Sequence, residues 1–261
     1  MEVLADPSQN IREMLEELEY EPEHIFIPGL TEPVFVRTIQ CLPLELLALL
    51  EHENAEISGR RVWPGSLLLS LVLASPQSPV NLLGGAVLEL GAGSGLASIV
   101  AKRLGASRIF ITDGDATSTE LAVDNLADNN IDCASKDSGI VVARLLWGDC
   151  ESFKTDMMPE GGFSVILAAD VMYKKHLPPL LFGTMKGLLS PNGVALLVHL
   201  VRAGVTQELV RSAASSAGLD VTVVPLPMAL LPHDHCSVEE AAGANIYLIR
   251  HSIVCETHRN I

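Results

Sequence analysis

The sequence predicts an α/β fold: one mostly parallel sheet of seven strands, helices on both faces, an antiparallel last strand and an N-terminal extension. Three observations carry this. From residue 84 onward, strand-like and helix-like segments alternate. Phe163–Ala169 is a continuous apolar run, as a strand covered on both faces requires. The last two strand segments have no helical period between them, which asks for an antiparallel pair at the end.

Residues 1–60 form the extension and 61–261 the main domain. In the extension, Asn10 caps a short helix whose apolar face is Ile11, Met14, Leu15 and Leu18. Glu13, Glu16, Glu17 and Glu19 line its other side, either as a solvated face or as a dock for a basic partner. Segments 25–27 and 34–39 read as strands around Pro28, Gly29 and Pro33, and 44–50 reads as a helix. No repeat or low-complexity linker interrupts the chain, so the extension is expected to pack on the main domain. Its position ahead of the site suits a role in substrate choice.

The main domain begins with strand Ala86–Leu90, broken only by Glu89, then a glycine-rich turn and a helix over 96–104. A strand at 108–112 leads into a helix ending near Asp128. Strands follow at 140–146 and Phe163–Ala169, then a helix over 176–189 stopped by Pro191-Asn-Gly. The remaining elements are a strand at 194–201, a helix over 207–217 ended by Gly218, and strands Leu219–Val224 and 245–249.

Composition narrows the function classes. The 261 residues are 48% hydrophobic, enough to bury a full core. The longest apolar runs, 67–74 and 194–201, are too short to span a bilayer and read as buried helix or strand. The first residues lack a secretory pattern. Five scattered cysteines without a CxxC pair point to a reducing compartment, the cytoplasm and also the nucleus. The net charge of −15 opposes a phosphate backbone and favours a basic protein partner, although solubility alone also accounts for it. His233-Asp-His-Cys236 is the most metal-like cluster, but no second ligand set accompanies it, so no metal is expected. His199 is expected to be buried or at a rim.

The chemistry begins at Glu89-Leu-Gly-Ala-Gly-Ser-Gly95, between a strand and a helix. Gly91 and Gly93 let a ligand approach the backbone where a Cβ would stand. Asp113 ends the second strand, 22 residues after Gly91, where a carboxylate can accept both hydroxyls of a ribose. Together they imply a nucleoside site. A dinucleotide fingerprint wants glycine at position 96, under the pyrophosphate; this sequence has Leu96. Glu89, a charge in a buried strand, either faces a cationic group or bonds to the turn backbone.

These motifs resemble motif I of the class I S-adenosylmethionine-dependent methyltransferases. Arg61-Val-Trp-Pro, Leu146-Trp-Gly-Asp149 and Ala168-Ala-Asp-Val-Met-Tyr173 narrow the resemblance to the methyltransferase-like family 16, which modifies lysines in non-histone proteins. It covers roughly residues 60–200. The resemblance implies a Rossmann-like class I methyltransferase sheet. It implies S-adenosyl-L-methionine as cofactor, S-adenosyl-L-homocysteine as product, and a protein-lysine N-methyltransferase activity. By the same resemblance Trp63, Gly91, Ala92, Gly93, Asp113, Trp147 and Ala169 contact the cofactor. Asp113 would hold the ribose, Trp147 would pack on adenine, and Trp63 would close over the methionine end. Asp170 and Tyr173 form the family's DxxY pair, which would orient the acceptor amine. In the plainer alternative the tryptophans and Tyr173 simply pack, and Asp170 caps the next helix. A nucleic-acid amine methyltransferase is disfavoured, since Asp170-Val-Met-Tyr173 lacks the rigid prolines such enzymes place there. A small-molecule methyltransferase and a non-catalytic module that keeps the fold stay open.

Overall fold

A computed structural model describes residues 19–39, 58–201, 204–225 and 236–253. The helices expected near 11–18 and 44–50, and the His233-Asp-His part of the metal-like cluster, lie outside the described residues.

One sheet of seven strands organises the domain. Its strands are β3 (Ala86–Leu90), β4 (Arg108–Asp113), β5 (Ile140–Arg144), β6 (Phe163–Ala169), β7 (Leu189–Leu200), β8 (Leu219–Val224) and β9 (Ala244–His251). Their order is β5-β4-β3-β6-β7-β9-β8. The pairs from β5 through β7 are parallel, and β9 runs antiparallel to both β7 and β8. Within this sheet β9, the last strand, runs against the other six, as expected. Because β3 neighbours both β4 and β6, the strand order switches beside β3, where open α/β sheets bind ligands.

The helices are α1 (Pro64–Ala74), α2 (Leu96–Arg103), α3 (Ala116–Asp128), α4 (Glu151–Asp156), α5 (Leu177–Leu188), α6 (Gln207–Ser216) and α7 (Val238–Gly243). The 67–74 run is α1, a helix with Pro64 in its first turn and Leu67 to Leu73 all buried. It packs against α2 and β7. Its buried Ser70 hydroxyl donates to Ser66 O at 2.8 Å, so no polar group is stranded there. Two apolar clusters fill the layers. One gathers α1, α2 and the inner face of β3 around Leu68, Ile99 and Val87. The other gathers α5 and α6 around Phe163, Phe182 and Tyr247.

Some boundaries differ from expectation. The first strand is β1 (Glu21–Ile25), not 25–27. It pairs antiparallel with β2 (Val34–Thr38) from Glu21↔Thr38 to Ile25↔Val34, and Phe26 lies outside the ladder, largely exposed. Pro191 does not separate helix from strand. The register of β6 on β7 jumps between Phe163↔Leu189 and Val165↔Val194, so Pro191 and Asn192 sit in a bulge that demands no ladder N–H. Between β8 and β9 stands α7, begun by a capping box in which Ser237 and Glu240 bond reciprocally. Neither α7 nor α4 was expected. His199 is buried, its Nε2 3.1 Å from Val205 O.

A cavity at the carboxyl edge of the sheet

A cavity of about 640 Å³ opens at the carboxyl ends of β3, β4, β5 and β6. Trp63, Gly91, Ala92, Gly93, Asp113, Trp147, Ala169, Asp170 and Tyr173 all line it. The structure thus brings every expected site residue to one place, at the ends of β4 and β6, on the segments that follow β3, β5 and β6, and on the one that leads into α1.

The floor is the turn after β3. Gly91 has φ +69° and Gly93 φ +52°, a region that L side chains rarely adopt. A Cβ on Gly91 would stand 2.6 Å from Val171 Cγ1 and 3.3 Å from Trp147 Cζ2. A Cβ on Gly93 would stand 3.0 Å from Gly59 O. Both the backbone conformation and the close approach of these neighbours therefore require glycine in the turn.

Asp113 ends β4. Its Oδ2 accepts the Gly93 N–H at 2.9 Å and its Oδ1 accepts the Asp115 N–H at 3.0 Å. The carboxylate is thereby fixed against the turn, with acceptor capacity left for hydroxyl groups. Burial pushes its carboxyl up from the usual carboxylate range, and these N–H bonds oppose the shift.

Glu89 is fully buried in β3 and also lines the cavity. Its Oε2 accepts the Ser98 N–H at 3.0 Å and the Ser98 hydroxyl. In place of the expected bond to the turn backbone it is held by Ser98, in the first turn of α2. Burial raises its carboxyl to about 7; the Ser98 bonds pull down and the Asp113 charge adds a further upward push.

Asp170 follows β6 with φ +55° and is buried. Its Oδ2 accepts the Gly65 N–H at 2.8 Å and its Oδ1 the Leu200 N–H at 3.3 Å. It therefore caps a helix, but that helix is α1, far away in sequence, rather than the next one. Trp63 is the residue just before α1, so the clamp on Gly65 also sets where Trp63 stands. Trp147 is half-buried against the α5 side of the core, and the neighbouring Gly148 N–H donates to Thr184 Oγ1 at 3.0 Å, tying its loop to α5.

Sequence reasoning missed other cavity residues. Arg61 stood inside a quoted motif but was given no role; its guanidinium carbon lies 5.0 Å from the Trp63 ring centroid. Ser66, Ser118 and Leu180 carry no local signal and reach the cavity only because α1, α3 and α5 pack around it. A glycine cradle, a fixed carboxylate and an indole face in one apolar-walled cavity fit a nucleoside that carries a polar arm.

The sequence model of a family described as lysine methyltransferase matches residues 44–213. Protein N-lysine methyltransferase METTL21A of Danio rerio is 36% identical over 141 residues, which cover 54% of this chain and 60% of that protein. The chain's match thus spans under two thirds of that relative's length. EEF1A lysine methyltransferase 3 of Mus musculus is 29% identical over 191 residues, covering 71% of this chain and 76% of that protein. Among solved structures, a candidate S-adenosylmethionine-dependent methyltransferase from Streptococcus mutans superposes with TM-score 0.58 at 14% identity, covering 88% of this chain and 55% of its own. A candidate methyltransferase solved with S-adenosylhomocysteine gives TM-score 0.57 at 14% identity, covering 88% of this chain and 56% of its own. At such identities the structural likeness concerns the fold, which is the Rossmann-like methyltransferase sheet.

Proposed function

The chain belongs to the lysine methyltransferase family, and from that membership we propose that it is an S-adenosylmethionine-dependent methyltransferase acting on a lysine ε-amine of a non-histone protein. The observation that carries this reading is the convergence of Asp113, Trp147, the Gly91–Gly93 turn, Asp170 and Tyr173 on one cavity at the switch point of the sheet.

The cofactor would lie on the glycine turn, with its ribose hydroxyls on Asp113 and its adenine on the face of Trp147. When bound, S-adenosylmethionine supplies a methyl group on a sulfonium, open to in-line displacement. The chain's own residues must bring an amine lone pair to that methyl. A free lysine has a pKa near 10.4 and arrives as an ammonium. Asp170 attracts and orients it: its carboxylate lines the cavity and is held there by the Gly65 and Leu200 N–H groups. Tyr173, on the same wall, hydrogen-bonds the amine or narrows its channel. The proton leaves to solvent before attack, because a protonated nitrogen has no lone pair.

The cavity wall carries Glu89, Asp113, Asp115 and Asp170, and the chain's net charge is −15. Both support a cationic acceptor on a basic protein surface and oppose a nucleic acid. Residence in the cytoplasm and nucleus belongs to the same reading, supported by the free thiols of Cys133, Cys150 and Cys236.

Incubation with methyl-labelled cofactor and a cell lysate tests the proposal. A nuclease-resistant, protease-sensitive labelled band, with methyl-lysine found by mass spectrometry, is expected. Label on nucleic acid or on a small molecule overturns it.

A further inference from the structure

We infer that Arg61 is the seat of the α-carboxylate on the amino-acid arm of the cofactor, and so the residue that makes this cavity select for that arm. The inference rests on the cofactor reading above.

The charges of the cavity pose the problem. Among the described residues its wall bears four carboxylates, Glu89, Asp113, Asp115 and Asp170, and a single cation, Arg61. A nucleoside whose arm ends in an amino acid brings one ammonium and one carboxylate. The ammonium finds partners anywhere on such a wall. The carboxylate is repelled by those four groups and attracted by Arg61. A guanidinium is also the group best matched to a carboxylate, through paired parallel N–H bonds.

Position supports the assignment. The segment bearing Arg61 arches over the glycine turn: Gly59 O lies 3.0 Å from where a Gly93 Cβ would stand, and Trp63 directly precedes α1. Both backbone neighbours of Arg61 are pinned to the N-terminal hairpin. The Ile39 N–H donates to Arg60 O at 2.9 Å, and the Val62 N–H donates to Thr38 Oγ1 at 3.2 Å. The side chain rests over the Trp63 ring at 5.0 Å, an aromatic face that limits its rotamers without consuming its N–H donors. Among the described residues its guanidinium forms no ion pair. Backbone and side chain are thus held, while the charge stays available.

The test uses the full chain and two probes in calorimetry: S-adenosylhomocysteine, and its decarboxylated counterpart with an aminopropyl arm. Arg61→Gln should weaken S-adenosylhomocysteine about tenfold, the worth of a charge-assisted bond at a partly open site, and change the decarboxylated probe by about twofold or less. Binding of the second probe shows at once that the variant is folded. Equal weakening of both probes overturns the inference and makes Arg61 a support for Trp63 alone; an unchanged affinity for both overturns it outright. If the unaltered protein binds neither probe, the cofactor reading itself falls, and this inference with it.

Discussion

Gly65 donates its backbone N–H to Asp170 Oδ2 at 2.8 Å, joining the start of α1 to the residue that follows β6. The contact exists only because residue 65 is glycine: a Cβ there would stand 2.6 Å from Asp170 Cγ and 2.7 Å from Oδ2. One carboxylate therefore has two tasks. It holds the helix behind Trp63 in place, and it lines the cavity where the acceptor amine must arrive.

Substitutions at Asp170 separate those tasks. Asp170→Ala strands the Gly65 and Leu200 N–H groups, and a buried orphan donor costs about 1–3 kcal/mol. Asp170→Asn keeps one acceptor, enough for the shorter bond from Gly65 but not for the longer one from Leu200, and asparagine tolerates the positive φ of this position. The Asn variant should melt within a few degrees of the original protein yet lose methyl transfer by about a hundredfold, the lower range for a positioned proton-handling group. Melting curves and turnover measured side by side check this; an Asn variant of full activity removes Asp170 from the chemistry.

Gly65→Ala attacks the same joint from the other side. The added methyl must push Asp170 away, and overpacking of this kind costs roughly 1–3 kcal/mol. Chemical denaturation should show that loss. Restoration of stability by Gly65→Ala combined with Asp170→Gly, beyond the sum of the single changes, would identify the clash as its cause.

Asn125 ties the N-terminal hairpin to the cofactor turn. Its Oδ1 accepts the Arg37 N–H at 2.8 Å, and its Nδ2 donates to Ser94 O at 2.8 Å. Asn125→Leu leaves both groups unsatisfied in a buried place and should cost roughly 2 kcal/mol or more, with weaker binding of S-adenosylhomocysteine. Arg37→Ala removes exposed ion pairs to Asp124 and Asp128 instead, and should cost below about 1 kcal/mol. Denaturant midpoints rank the two variants; a costlier Arg37→Ala would place the hairpin's anchorage in its charges.

The parts of this site that were legible in the sequence are those that a βα unit places by itself. Strand Ala86–Leu90, the glycine turn and Asp113 are local features, and parallel pairing carries them to one edge whatever the rest does. Helix α1 had no readable period because it is apolar on nearly every side. Residues 25–27 looked like a strand because three apolar residues run together, yet pairing with β2 draws the strand back to Glu21 and leaves Phe26 outside the ladder. The capping box Ser237-Val-Glu-Glu240 was a readable signal for α7, hidden by the shortness of the helix it starts. The Asp170–Gly65 clamp spans 105 positions, so no window of sequence holds it.

Tyr247 offers a prediction away from the site. Its ring is fully buried in β9, and among the described residues its hydroxyl finds no hydrogen-bond partner. An unpaired buried hydroxyl costs free energy. Tyr247→Phe should leave the fold intact and raise stability by up to about 1 kcal/mol, read as a higher denaturant midpoint at unchanged slope. A clear loss of stability would mean that the hydroxyl is satisfied by bound water.

Glu89 makes the protein sensitive to pH. Burial raises its carboxyl from 4.5 to about 7 in the folded chain. Between those values the folded state holds a proton that the unfolded state has released. Stability therefore falls as pH rises through this window and levels off above it. Glu89→Gln, which still offers an acceptor to Ser98, should flatten that slope in denaturant titrations. Ligand binding adds a second sign. An ammonium group brought into this cavity favours the ionised carboxylate, so binding of S-adenosylhomocysteine should expel a proton at about pH 6.5 and none at about pH 8.5. Calorimetry in buffers of different ionisation heat reads the proton directly. Release of equal size from the Gln variant would assign it to another group, and would leave the Ser98 bonds as the whole role of Glu89.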